Sequence, residues 1–130
     1  MEKPIYKIGA VIIKDRKILV CRKKNLWISP GGKIEKGETF LDCLKRELNE
    51  EIGVEVGGYE FLGEYEGNAL LEEGMKVRID YYIVDITGEP RASAEIEEIM
   101  YINSGFDKKN LGPGLYKFVI PELIKRGLVE

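Results

Sequence analysis

Glu47, Glu50 and Glu51 are the residues whose type and spacing say most about chemistry in this chain. On a helix advancing 100° per residue they share one arc of about 100°, with Glu47 at i, i+3 from Glu50 and i, i+4 from Glu51. Like charges at those spacings destabilise an isolated helix by about 0.2–0.5 kcal/mol per pair, and a bound cation reverses the sign. Magnesium suits such a site, because it takes hard oxygen ligands and completes its shell with water and substrate phosphates. A solvated acidic face is the commoner use of three helical glutamates, so the surroundings must decide.

The surroundings are unusually specified. Pro30-Gly31-Gly32 breaks regular structure ahead of the acids and lets backbone approach a ligand closely. Thr39 and Asp42 form a Thr-x-x-Asp pattern, a capping box that starts a helix. Leu41, Leu44, Leu48 and Ile52 recur at steps of three and four and make one apolar stripe, and Gly53 is a left-handed stop. The spacing thus predicts a helix over 39–53 whose acids lie beside its buried face, with Arg46 among them. A Gly-rich loop feeding such a helix is a device for holding divalent metal against a phosphate chain.

Other elements must position this unit. Residues 5–13 and 18–21 read as a β-hairpin around the polar turn Asp15-Arg16-Lys17, with Arg22, Lys23 and Lys24 at its end. Those cations suit either solvent or phosphate. Trp27, the only tryptophan, reads as a core or loop plug. Residues 54–67 are strand-like with a bend at Gly57-Gly58, and 75–86 alternate apolar and polar residues with the period of a half-buried strand. Leu70 and Leu71 sit in the loop between them, open to substrate, a second subunit or neither. An acidic segment, 94–99, precedes a late strand, and a helix is expected over about 115–126 with Phe118, Ile120, Leu123 and Ile124 mostly inward and Pro121 kinking or dividing it.

Composition removes several function classes. With no histidine, a Ser-His-Asp or Cys-His triad and any His-bearing zinc site are excluded, which leaves carboxylates, lysine, tyrosine or metal. Cys21 and Cys43 lack metal-ligand spacing and read as packing residues. A net charge of −3 gives no overall basic field for nucleic-acid polymers or anionic membranes. No apolar run approaches the roughly 20 residues that span a bilayer. The N-terminus alternates polar and apolar residues instead of showing a targeting pattern, so a cytoplasmic protein is expected. The 130 residues fit a single domain over 1–130 of α/β class.

Gly32, Glu38, Arg46-Glu47, Leu48, Glu50-Glu51, Gly53 and Val54 stand at every specified position of the pattern that marks the Nudix hydrolase superfamily, and the wider phrase 29–39 resembles its MutT-like branch. The resemblance implies a mixed β-sheet sandwiched between α-helices, with residues 32–54 forming a loop-helix-loop. It implies hydrolysis of a diphosphate linkage in a small nucleotide, with Mg2+ or Mn2+ as cofactor. Gly32 (through its carbonyl), Glu47, Glu50, Glu51 and Glu95 are the implied metal ligands, with Glu98 the competitor of Glu95. Glu47 or Glu95 is the implied general base, Arg46 pairs with the carboxylates, and Glu38 orients the site. Arg22 and Lys33 are the expected phosphate contacts, and Asn110 the residue that reads a base. A nucleoside triphosphate pyrophosphohydrolase, with damaged nucleotides in the MutT manner among its expected substrates, is the first reading; an ADP-ribose or nucleotide-sugar pyrophosphatase is the second. A non-catalytic nucleotide-binding module is the reading of another class, but such modules lack parts of the pattern that this chain retains. Homodimers are common among relatives, which leaves the oligomeric state open.

Overall fold

The computed structural model describes residues 3–130 and contains the strands β1 (Ile5–Val11), β2 (Ile13–Lys14), β3 (Lys17–Lys23), β4 (Leu26–Ile28), β5 (Gly31–Lys33), β6 (Glu55–Asn68), β7 (Lys76–Thr87) and β8 (Glu98–Ile102), with helices α1 (Phe40–Ile52) and α2 (Ile120–Lys125). One mixed sheet runs β5-β1-β7-β6: β1 and β7 are parallel at its centre, and β5 and β6 are antiparallel at its edges. The second sheet centres on β3, with β8 along one side and β2 and β4 sharing the other.

The expected hairpin forms only at its tip. Asp15 and Arg16 take left-handed conformations, φ 51° and 61°, the two-residue turn whose twist matches paired strands, and β2 pairs with β3 beside it. Upstream, β1 departs to pair with β5 and β7. The reason lies in its residues: Ile8 and Ala10 are buried on one face and Val11 on the other, and a strand apolar on both faces belongs inside a covered sheet.

That two-sidedness builds two cores. Ile8, Ala10, Leu19, Cys21, Tyr82 and Val84 meet Leu44, Leu48 and Ile52 of α1, while Val11, Ile18, Val20 and Tyr81 meet Leu115, Val119, Ile120 and Leu123. Each large side chain so buried contributes about 1.5–3 kcal/mol. The result is the expected mixed sheet between helices.

The caps of α1 are those read from the sequence. Thr39 Oγ1 accepts from the Asp42 N–H at 3.1 Å, Asp42 Oδ2 accepts from the Thr39 N–H at 3.0 Å, and Gly53 closes the helix at φ 68°. The stripe is shifted slightly from expectation: Leu41 is half-buried at its margin, and Cys43 and Glu51 are buried within it. Strand β6 bends at Val56/Tyr59, around the Gly57-Gly58 pair.

The C-terminal helix corrects the sequence reading in detail. Residues Leu115–Val119 form a π-helical stretch in which the Ile120 N–H donates to the Leu115 carbonyl, and α2 follows. Pro121 has no N–H to give and its ring would crowd the carbonyl one turn back, so a widened turn just before it relieves both problems. Ile124 is 43% exposed, so this side chain faces outward. Among the described residues no helix is long and apolar enough to cross a membrane.

Candidate active site

The two glycines ahead of α1 stand where neither backbone nor carboxylate leaves room for a side chain. Strand β5 pairs Gly31 with Gly9 and Gly32 with Ile8. Gly31 sits at φ 139°, where an added Cβ would run into the Ile8 carbonyl. A Cβ on Gly32 would lie 2.7–2.9 Å from the Glu47 carboxylate. With both positions bare, the Gly31 N–H donates to Glu51 Oε1 at 2.7 Å.

Arg46 ties the loop to the helix. Its Nε and Nη2 fork onto the two oxygens of Glu38 at 2.7 and 2.9 Å, its Nη1 donates to Glu47 Oε1 at 2.6 Å, and Nη2 also reaches the Lys33 carbonyl at 3.1 Å. A planar guanidinium can serve all four acceptors at once. The Arg46 hydrogen bonds, with one from the Glu35 N–H, hold the Glu38 carboxyl down at about 2. Glu38 therefore stays charged and holds Arg46 in place.

The helix acids occupy three different environments. Glu51 is 7% exposed, and burial pushes its carboxyl up to about 7 against the opposing Gly31 hydrogen bond. Burial also raises Glu47, with Arg46 pulling the other way. Glu50 is exposed at the mouth, loosely paired with Arg46 at 3.7 Å.

Glu95 comes from a distant loop that α1 holds in place. The Ser93 N–H donates to the Glu51 carbonyl at 2.9 Å and the Arg91 N–H to the Ile52 carbonyl at 3.0 Å, which fastens the segment to the helix end. Lys23 Nζ meets Glu95 Oε2 at 2.7 Å and holds this carboxyl below its ordinary range. Burial pulls Lys23 down, but Glu95, then Glu51 and Glu47, leave it above its ordinary value.

A cleft of about 680 Å³ brings together Gly32, Lys33, Arg46, Glu47, Glu50, Glu51 and Glu95, and its apolar lining includes Leu26, Ile28, Tyr65, Ile79, Tyr81 and Pro113. Three expected residues are not in its lining. Arg22 turns to Glu97 and Glu98 at 3.4 and 3.2 Å, beside the Trp27 ring. Glu98 is occupied by that pair. Asn110 ends an exposed 3₁₀ turn, Lys108–Asn110, and residues 112–115 line the cleft in its stead.

Of the three cations at the end of β3, Lys23 is the one that lines the cleft, and the sequence carries a signal for it. Leu19 and Cys21 face α1, and period two along β3 carries Lys23 to that same side and Arg22 to the other. Lys7 and Glu72, which also line the cleft, carried no comparable signal in the sequence.

The family model described as NUDIX domain matches residues 3–118. The chain belongs to the Nudix family. It is 31% identical over 113 residues to an ADP-ribose pyrophosphatase of Methanocaldococcus jannaschii, a match covering 83% of this chain and 64% of that one. It is 44% identical over 46 residues to an 8-oxo-dGTP diphosphatase of Buchnera aphidicola, covering 33% and 37% respectively. The chain thus spans less than two thirds of the length of either curated relative. The solved structure of the E. coli ORF135 protein superposes with a TM-score of 0.77 at 26% identity, covering 95% of this chain and 91% of that one. MutT-like proteins are among these Nudix neighbours, and the mixed sheet between helices is the Nudix fold.

Nudix hydrolases generally use divalent metal ions. Among the described residues no three of His, Cys, Asp or Glu converge on one point as they stand, since Glu47 turns to Arg46 and Glu50 faces outward. The donor set still fits a hard cation. Glu47, Glu50 and Glu51 line the cleft with carboxylate oxygens, and the Gly32 carbonyl, which accepts from Cys43 Sγ at 3.6 Å, is a further oxygen donor on the adjoining strand. Only a glycine at position 32 lets the Glu47 carboxylate lie this close to the strand, and Glu51 is a buried carboxylate that a cation would restore to its charged form.

Proposed function

We propose that this Nudix protein hydrolyses a diphosphate linkage in a small nucleotide, as a nucleoside triphosphate pyrophosphohydrolase that releases a monophosphate and pyrophosphate. The observation that carries the reading is the cleft itself: carboxylates packed on Gly31-Gly32 and anchored by Arg46, the cations Lys23 and Lys33 in the same lining, and apolar and aromatic side chains completing it. Its volume of about 680 Å³ falls in the range of small-molecule sites. The cores draw residues from Ile8 to Val129, which supports one domain over 1–130.

Glu47, Glu50, Glu51 and the Gly32 carbonyl would hold Mg2+, with Mn2+ as a substitute. A cation there neutralises charge on the diphosphate and acidifies a water. The chain's own residues do the rest. Lys33 and Lys23 contact phosphate oxygens, and the apolar side chains take the base. Water attacks phosphorus, the bridging P–O bond breaks, and the water's proton passes to a carboxylate. Glu47 and Glu95, both in the cleft lining, are the two carboxylates for that acceptor role.

The test is a screen of nucleoside triphosphates, oxidised nucleotides, ADP-ribose and nucleotide sugars with product identification, run with Mg2+ and with excess chelator. A monophosphate and pyrophosphate, formed only with the metal, are expected. Full turnover in chelator overturns the metal assignment, and no hydrolysis of any compound overturns the enzyme reading. An ADP-ribose pyrophosphatase is the second reading, favoured by the match over 83% of this chain; AMP and ribose 5-phosphate as sole products would establish it.

A further inference from the structure

Lys7 and Lys33 stand directly opposite each other across β1 and β5. Like charges in that register repel unless an anion bridges them. Here Glu72 is the bridge: its Oε1 lies 3.6 Å from Nζ of each lysine. The other oxygen, Oε2, is buried and has no hydrogen-bond partner. A carboxylate half-satisfied in this way is a costly occupant, whereas a phosphate group presents separate oxygens to two ammonium groups.

Glu72 arrives on the loop joining β6 to β7. That loop is closed on itself by the Ala69 N–H donating to the Met75 carbonyl at 2.9 Å and the Met75 N–H to the Glu72 carbonyl at 3.1 Å. It spans the cleft. Leu70 Cδ1 approaches within 3.7 Å of where a Cβ on Gly112 would stand, on the far wall. Gly32, next to Lys33 in β5, borders the Glu47 carboxylate on the opposite face of the strand, and the lysine pair and the helix acids line the same cleft.

We propose that Lys7 and Lys33 form a phosphate clamp which Glu72 fills as an internal substitute, and that a phosphate group entering the cleft displaces Glu72 and releases loop 69–75 from this wall. The proposal rests on the nucleotide-hydrolase reading for the origin of that phosphate, either substrate or released pyrophosphate.

The experiment titrates inorganic pyrophosphate calorimetrically into the full chain in excess chelator at low salt, comparing wild type, Glu72→Gln and Glu72→Gln with Lys7→Met. Removing the competing charge is expected to tighten binding about fivefold, the scale of a partly exposed ion pair, and Lys7→Met is expected to cancel the gain. Glu72→Ala, checked by urea midpoint, guards against a misfolded variant. Equal affinity in wild type and both Glu72 variants overturns the clamp. Steady-state kinetics separate the sources: a lower KM at unchanged kcat in Glu72→Gln assigns the clamp to substrate, and tighter pyrophosphate inhibition at unchanged KM assigns it to product. A binding gain without hydrolysis of any nucleotide retains the clamp and removes the hydrolase reading, while hydrolysis without a binding gain does the reverse.

Discussion

Glu51 is expected to make the metal-free protein less stable as pH rises from 5 to 8. The carboxyl is 7% exposed, and burial carries it from 4.5 to about 7. Between those values the folded chain keeps a proton that the unfolded chain has released, so the free energy of unfolding falls with rising pH. The penalty is absent below the unfolded value, grows through the window and is complete above the folded one. At 1.36 kcal/mol per tenfold change in proton affinity it reaches about 3 kcal/mol, a sizeable part of the roughly 5–15 kcal/mol that holds a small protein folded. Glu38 is held down at about 2, so its contribution is lost only as pH falls below its ordinary range. The buried Cys21 thiol is pushed up from 9.0, which matters only at more alkaline pH. Glu47 shifts in the same direction as Glu51, so a variant is needed to isolate Glu51. Glu51→Gln stays neutral and keeps an oxygen for the Gly31 N–H. In urea denaturation with excess chelator, it should match wild type within about 1 kcal/mol at pH 5 and exceed it by about 2–3 kcal/mol at pH 8. Added Mg2+ should stabilise wild type more at pH 8 than at pH 5, because a ligand must be deprotonated to bind. Parallel pH profiles for wild type and Glu51→Gln would refute the account of burial.

Glu50 is exposed and only loosely paired, so Glu50→Gln should leave stability within about 0.5 kcal/mol while kcat falls about 100-fold or more; kcat within tenfold of wild type removes Glu50 from the metal set. Arg46→Lys keeps the charge but loses the fork onto Glu38 and the bond to Glu47, and should cost about 1–2 kcal/mol in urea denaturation. An unchanged midpoint would show that the fork is not what ties the loop to the helix.

What the sequence revealed was local. The caps at Thr39 and Gly53, the apolar stripe and the arc of acids follow from helix geometry alone, and each is found in place with a shift at Leu41. The hairpin was half right, because Ile8, Ala10 and Val11 advertise two buried faces, and only the whole sheet says which strands cover them. Arg22 and Lys23 illustrate the cost of reading charge without strand parity: one residue along β3 exchanges the cleft for the Glu97–Glu98 pair. Asn110 was placed by distance along the chain, yet the 3₁₀ turn ends there and hands the cleft wall to the residues after it. Lys7 and Glu72 were out of reach, since their meeting depends on the pairing of β1 with β5 and on the path of a loop.

Two of the helix glutamates, with the neighbouring strand, also explain why the loop before them is glycine. Glu47 and Glu51 lie one turn apart on α1 and both face β5, one carboxylate against Gly32 and the other hydrogen-bonded to the Gly31 N–H. A side chain at Gly32 would meet the Glu47 carboxylate, the flexible partner, and push it off Arg46. A side chain at Gly31 would meet the Ile8 carbonyl, the rigid partner, and unzip β5 from β1. The first change would disturb the charge arrangement with the fold largely kept, and the second would disturb the strand that carries it. Gly32 is therefore a packing requirement set by the Glu47 carboxylate, and Gly31 one set by the neighbouring strand, which leaves its N–H free to hold Glu51.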